Sequence, residues 1–164
     1  MKRFLSLLIS FSLLLCLMGC SSAEPNGVAF YYSKKSDQFD YFEEDGVIRS
    51  EQRDLIGHRD DLRYMVGLYL AGPMDETLSM PFPKTTRLIS VEKNNGIITI
   101  TLSGHANILT DSEFALGCAC LTITCMEFTD CKAVTVVSDE RSITLDQSKI
   151  LLYDSLPQQE NTGG

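Results

Sequence analysis

Apolar and polar positions divide this chain into segments with different periods. Phe4 to Met18 is almost purely apolar, broken only by Ser6, Ser10 and Ser12, and follows the basic pair Lys2-Arg3. Such a run fits the upper end of a signal-peptide core of ~7–15 residues and falls short of the ~20 that a permanent membrane helix needs. Val28 to Tyr32 is a short β-type run ended by the polar stretch Ser33 to Asp37. Phe39–Phe42 and Val47–Leu55 read as extended segments around a turn at Glu44-Asp45-Gly46. Leu62, Met65, Val66, Tyr69 and Leu70 fall at i, i+3, i+4, i+7 and i+8, the stripe of an amphipathic helix. Asp60 and Asp61 belong in its first turn, and Gly72-Pro73 stops it.

After the connector Pro81-Phe82-Pro83, Arg87–Lys93 and Ile97–Ser103 flank Asn94-Asn95-Gly96, a signal for a tight hairpin. In its second strand Ile98, Ile100 and Leu102 share one face, and Thr99 and Thr101 the other, which predicts a sheet with one wet side. Thr110-x-x-Glu113 is a capping-box pattern and starts a second helix running to about Phe128. Thr122-Ile123-Thr124 and Gly117 pull against that helix, since Gly costs ~1 kcal/mol relative to Ala. Ala133–Ser138 reads as a last strand with Val134 and Val136 on one face, and Ile150–Tyr153 as an apolar patch packing back on the domain. The order ββαββαβ predicts one α+β domain with helices on one side of a mainly antiparallel sheet.

The apolar leader ends in Leu17-Met18-Gly19-Cys20, followed by Ser21 and Ser22. This resembles the lipobox of bacterial lipoproteins, in which a small residue precedes a cysteine that is diacylated before cleavage. The resemblance implies a signal peptide over 1–19 and lipid on Cys20. A short tether over 20–27 then leads to a domain over 28–154, and the polar, Gly-terminated end reads as a disordered tail over 155–164. Two or more acyl chains at ~0.8 kcal/mol per buried methylene anchor stably. The protein is expected outside the cytoplasm, on the outer face of a bacterial membrane.

Charge narrows the partners. The leader removes Lys2 and Arg3 but no acid, so the −8 of the full chain becomes −10. That balance argues against nucleic acid, whose phosphates need clustered Lys and Arg. It also makes anionic headgroups repel the body of the domain, leaving contact with the membrane to the anchor.

Several segments resemble the GerMN domain of bacterial sporulation and germination lipoproteins. They are Phe30-Tyr31-Tyr32, Glu51-Gln52-Arg53, Leu70-Ala71-Gly72-Pro73, Pro83 to Val91, Asn95-Gly96 with Ile100 to Ser103, and the second helix running into Glu127-Phe128. Thr101 stands where the family usually has Asn or Asp. The resemblance covers 28–138 and implies a non-enzymatic module, in some members part of the complex joining mother cell and forespore.

The candidate chemistry is sparse. Cys118, Cys120, Cys125 and Cys131 invite a metal or redox site. On a helix, however, Cys118 and Cys120 point about 200° apart, and Cys118 and Cys125 sit about 10.5 Å apart along the axis. A disulfide needs Cα atoms within about 7 Å. Packing thiols are favoured, one disulfide through Cys131 is the second reading, and a metal site would require a strand here. His58 among Arg59, Asp60 and Asp61 reads as solvated, and His105 follows a strand exit without a nearby ligand set. There is no Gly-x-Ser-x-Gly elbow, phosphate loop or His-Glu-x-x-His pattern. Glu51 and Arg53 would share a strand face, to bind a partner, to hold the sheet edge or, most simply, as an exposed pair worth under about 1 kcal/mol. Tyr31, Tyr32, Phe39, Tyr41 and Phe42 suit core packing or a glycan-stacking surface, and the acids from Asp37 to Asp45 suit a solvated face. The expected function is therefore a lipid-anchored assembly module that contacts an envelope protein, without catalysis, cofactor or metal. A lipoprotein that binds cell-wall glycan or peptide is the alternative.

Overall fold

The computed structural model describes residues 27–35, 46–139 and 141–151. The leader, Cys20, the aromatics Phe39, Tyr41 and Phe42, the acidic stretch and the C-terminal tail lie outside them. The described residues form two sheets. The first has β1 (Gly27–Lys34) in its centre, flanked by β2 (Ile48–Asp54) and the two-residue β3 (Leu78–Ser79), all antiparallel. The second runs β4 (Leu88–Asn94), β5 (Ile97–Leu102), β6 (Ala133–Ser138) and β7 (Arg141–Asp146). Its β5–β6 pair is parallel and the other two pairs are antiparallel. Helix α1 (Leu62–Leu70) follows β2, α2 (Asp111–Phe128) connects β5 to β6, and α3 (Gln147–Leu151) follows β7.

Local chemistry sets the boundaries. Asn95 and Gly96 take φ of 53° and 81°, the two left-handed positions a type I′ hairpin needs. Asp61 caps α1 by accepting from the Tyr64 amide at 2.8 Å, one position ahead of the first turn where the sequence pattern put it. Gly72 follows the C-cap with φ +94°, a conformation that side chains resist. The capping box of α2 is complete. Thr110 Oγ1 accepts from the Glu113 amide at 3.3 Å, and Glu113 accepts from the Thr110 amide at 2.8 Å. Donation from the Thr110 amide and hydroxyl holds the Glu113 carboxyl below its ordinary pKa.

Parallel strands need a crossover, and α2 with the 3-10 helix Gly104–Ile108 supplies it between β5 and β6. The helix has almost no polar side. Phe114, Gly117, Cys118, Cys120, Leu121, Thr122, Thr124 and Cys125 are all buried, and at 100° per residue they span about 200° of its circumference. It also covers a flank of β1. That strand pairs with β3 only at Ser33 and Lys34, and further back the Tyr31 amide donates to Thr124 Oγ1 at 2.9 Å. Thr124 in turn donates to the Cys120 carbonyl. One core joins both sheets to α1 and α2. Tyr32 stacks on Tyr69 at 4.8 Å, and Ile98, Ile100, Leu102, Val134 and Val136 close it from the second sheet.

The sequence pattern missed β3, the 3-10 helix and β7. It also placed Ile150 in an unassigned patch, where the structure has α3 against β7. Gly117 has a structural reason as well. A Cβ there would lie 2.9 Å from Phe82 Cε1 and Cζ, and Phe82 is itself buried edge-on to Phe114. Gly117→Ala should therefore destabilise the domain by about 1–2 kcal/mol, overpacking outweighing the ~1 kcal/mol gained in helix propensity. Urea midpoints test this. Combining it with Phe82→Leu should cost less than the two single changes summed, whereas a stabilised Gly117→Ala would contradict this packing.

Candidate functional site

The side chains singled out for chemistry are mostly turned inward. Glu51 and Arg53 lie on one face of β2 as expected, yet they are not an exposed pair: their side chains are 11% and 7% exposed. Arg53 Nε donates to Glu51 Oε1 at 2.6 Å, and Arg53 Nη2 donates to the Gly72 carbonyl at 2.5 Å. The guanidinium also covers the Phe30 ring at 5.6 Å. Glu51 accepts the Met74 amide at 3.0 Å and the Asp75 amide at 2.8 Å. The pair is thus a clasp that pins the loop after α1 to β2. Burial corrects the surface estimate, because removing one partner of a buried, hydrogen-bonded pair leaves the other uncompensated.

The thiols sit where helical geometry puts them. Cys118, Cys120 and Cys125 are free, fully buried thiols, and Cys131 is a half-buried one. Burial pushes Cys118 and Cys120 up to about 12, and raises Cys125 and Cys131 as well. A thiol with such a pKa carries almost no thiolate at neutral pH, and the thiolate is the nucleophile and metal ligand. Among the described residues, no group of three or more His, Cys, Asp or Glu side chains could hold a metal ion.

The two histidines are apart. His58 stacks on Tyr64 at 3.8 Å between ring centres and lies 3.8 Å from Asp61 Oδ2, half exposed. His105 Nδ1 is 3.2 Å from Ser103 Oγ, which also accepts the Arg87 amide at 3.0 Å. Of the early aromatics, Phe30 and Tyr32 are fully buried, which removes them from any glycan-stacking surface. Tyr31 is half-buried, its hydroxyl 3.5 Å from Glu127 Oε1. Burial and the Glu127 carboxylate raise its pKa.

Arg141 carried no sequence signal. From β7 it donates to the Leu109 carbonyl at 2.8 Å and to Asp111 Oδ1 at 3.1 Å, with its guanidinium 4.2 Å over the Phe114 ring. It therefore fixes the start of α2 as Arg53 fixes the end of α1. What remains outward is the far face of the second sheet. The register aligns Glu92, Thr99, Thr135 and Thr144 in one row, and Ser90, Thr101, Val137 and Ser142 in the next. Thr135 and Thr144 hydroxyls are 2.9 Å apart. This is a hydroxyl-rich surface that carries Thr99, Thr101, Thr135 and Thr144.

These features define a small α+β domain in which two sheets share one buried crossover helix and the polar clasps are structural. The chain belongs to the Germane family, described as sporulation and spore germination, which matches residues 29–144. Among curated proteins, none matches. A crystal structure from Clostridium perfringens, of a protein provisionally named a lipoprotein, is similar with a TM-score of 0.48 at 17% identity. The likeness covers 75% of this chain and 88% of that one.

Glu51→Ala should destabilise the domain by about 3 kcal/mol, because Arg53 stays buried without its partner and two loop amides lose their acceptor. Glu92→Ala, on the exposed face, should change stability by no more than about 0.5 kcal/mol. Denaturant midpoints compare them, and equal effects would show that the clasp contributes nothing.

Proposed function

We propose that this protein is a lipid-anchored, non-catalytic lipoprotein that works by contact within an envelope assembly of sporulation or germination. Cys20 is the acylated residue. The partner is an envelope protein at the outer face of the membrane, and no nucleic acid or cofactor takes part. The observation that carries this reading is the match over residues 29–144, which takes in both sheets and α2 behind a leader ending in Leu-Met-Gly-Cys. The inward use of Glu51, Arg53, Arg141 and the thiols supports it, because these groups already serve the fold. The outer face around Thr99, Thr101, Thr135 and Thr144 is the surface left for a partner. No described helix is long and apolar enough to cross a membrane; in this reading the lipid on Cys20 is the anchor.

A photo-crosslinking residue at Thr101 or Thr135, in cells, tests the proposal. Discrete protein adducts should form at both positions. They should be lost in a Cys20→Ala background, where an uncleaved, unlipidated precursor accumulates. Recovery with wall sacculi alone would instead favour a glycan- or peptide-binding lipoprotein. Normal acylation of the Cys20→Ala protein would overturn the anchor.

A further inference from the structure

The point where the tether enters the fold constrains which surface meets lipid. Gly27, the first residue of β1, is the Cα partner of Asp54, the last residue of β2. The chain from Ser21 to Gly27 can reach at most ~25 Å. Immediately after Asp54 the chain makes a tight turn. Leu55 is held in the core at 1% exposure, the His58 amide donates to the Leu55 carbonyl at 2.8 Å, and Gly57 takes φ +77°. Ile56 forms the tip, 81% exposed. One cross-strand step of ~5.5 Å and two Cα steps of ~3.8 Å keep it within about 13 Å of Gly27.

The turn is held in place from the α1 side. The His58 carbonyl accepts the Asp61 amide at 3.1 Å, and the His58 ring lies on Tyr64, which stays 42% exposed. An isoleucine projecting from a fixed turn beside an exposed tyrosine has the composition of an interfacial contact. The aliphatic chain enters the acyl boundary and the phenol stays at headgroup level. Charge on the turn itself is balanced, with Asp54 just ahead of it. From Ile56 to Tyr64, Arg59 and Arg63 balance Asp60 and Asp61, in a chain that carries −8 overall. Met74 is also well exposed, at 78%, but it adjoins Asp75 and Glu76 and falls outside the balanced stretch.

We infer that the Leu55–His58 turn, led by Ile56 and flanked by Tyr64, rests on the bilayer surface. Its contact turns the domain so that β1 and β2 meet lipid with the Gly27–Asp54 end. This rests on the proposed acylation of Cys20, which brings the turn within reach. The outer face of the second sheet is then held in a fixed orientation rather than swinging on its leash.

The chain contains no tryptophan, so a single introduced one is a clean reporter. Ile56→Trp and the control Ile108→Trp, whose native side chain is 79% exposed on the 3-10 helix, are prepared as full lipidated protein. Both are reconstituted in phosphatidylethanolamine–phosphatidylglycerol vesicles with brominated acyl chains. The expected result is blue-shifted emission and at least twofold stronger quenching for Ile56→Trp than for Ile108→Trp. Equal quenching, or none, in protein whose Cys20 is acylated by mass spectrometry overturns the docking and leaves the anchor intact. An unacylated Cys20 in that measurement overturns the anchor, and the docking with it.

Discussion

Burial of one helix over more than half its circumference shapes this domain. An amphipathic helix lies on one sheet with a wide wet side left over, but α2 buries about 200° of its circumference, so protein must cover it from more than one direction. The surroundings come from different parts of the chain: β1 from the first sheet, β6 and β7 from the second, and Phe82 from the connector. That requirement explains its composition. Gly117 admits the Phe82 ring, three cysteines fill space as small apolar groups, and Thr124 supplies the acceptor that the open flank of β1 needs. Substituting larger aliphatics would not preserve the same approach of helix to strand.

The charged side chains follow from the same constraint. Both ends of the helical layer are joined to edge strands of the two sheets, β2 and β7. Arg53 does this at the end of α1 and Arg141 at the start of α2, each through backbone carbonyls and each against an aromatic ring. Arginine suits the task because its planar fork serves several acceptors while its face stacks. Groups used in this way are unavailable for contact with another molecule. The hydroxyl rows of the second sheet and the turn beside the tether lie on the outside, and the functional proposals rest on them.

Much of this architecture was legible from periodicity. The stripe from Leu62 to Leu70, the Asn-Gly hairpin and the Thr110–Glu113 box each act within a few residues, and each appears at the expected position. The isoleucine and threonine alternation of β5 gave its two faces for the same reason. What pattern could not give depends on long-range partners. Glu51 and Arg53 look like a surface pair until the Gly72–Asp75 loop closes over them. Gly117 looks like a weak point until Phe82 arrives from 35 residues upstream. The missed strand β7 did carry a signal, since Ile143 and Leu145 alternate with Ser142 and Thr144, directly after the left-handed Asp139. The parallel pairing of β5 with β6 follows only once α2 is known to be a crossover helix.

Amide hydrogen exchange tests the central role of α2 most directly. If this helix is the element that both sheets enclose, amides from Gly117 to Cys125 exchange only through global unfolding, with protection matching the denaturant-derived stability. Exchange of those amides at the faster rates of α3 or the Leu55–His58 turn, while β5 and β6 remain protected, would contradict the account.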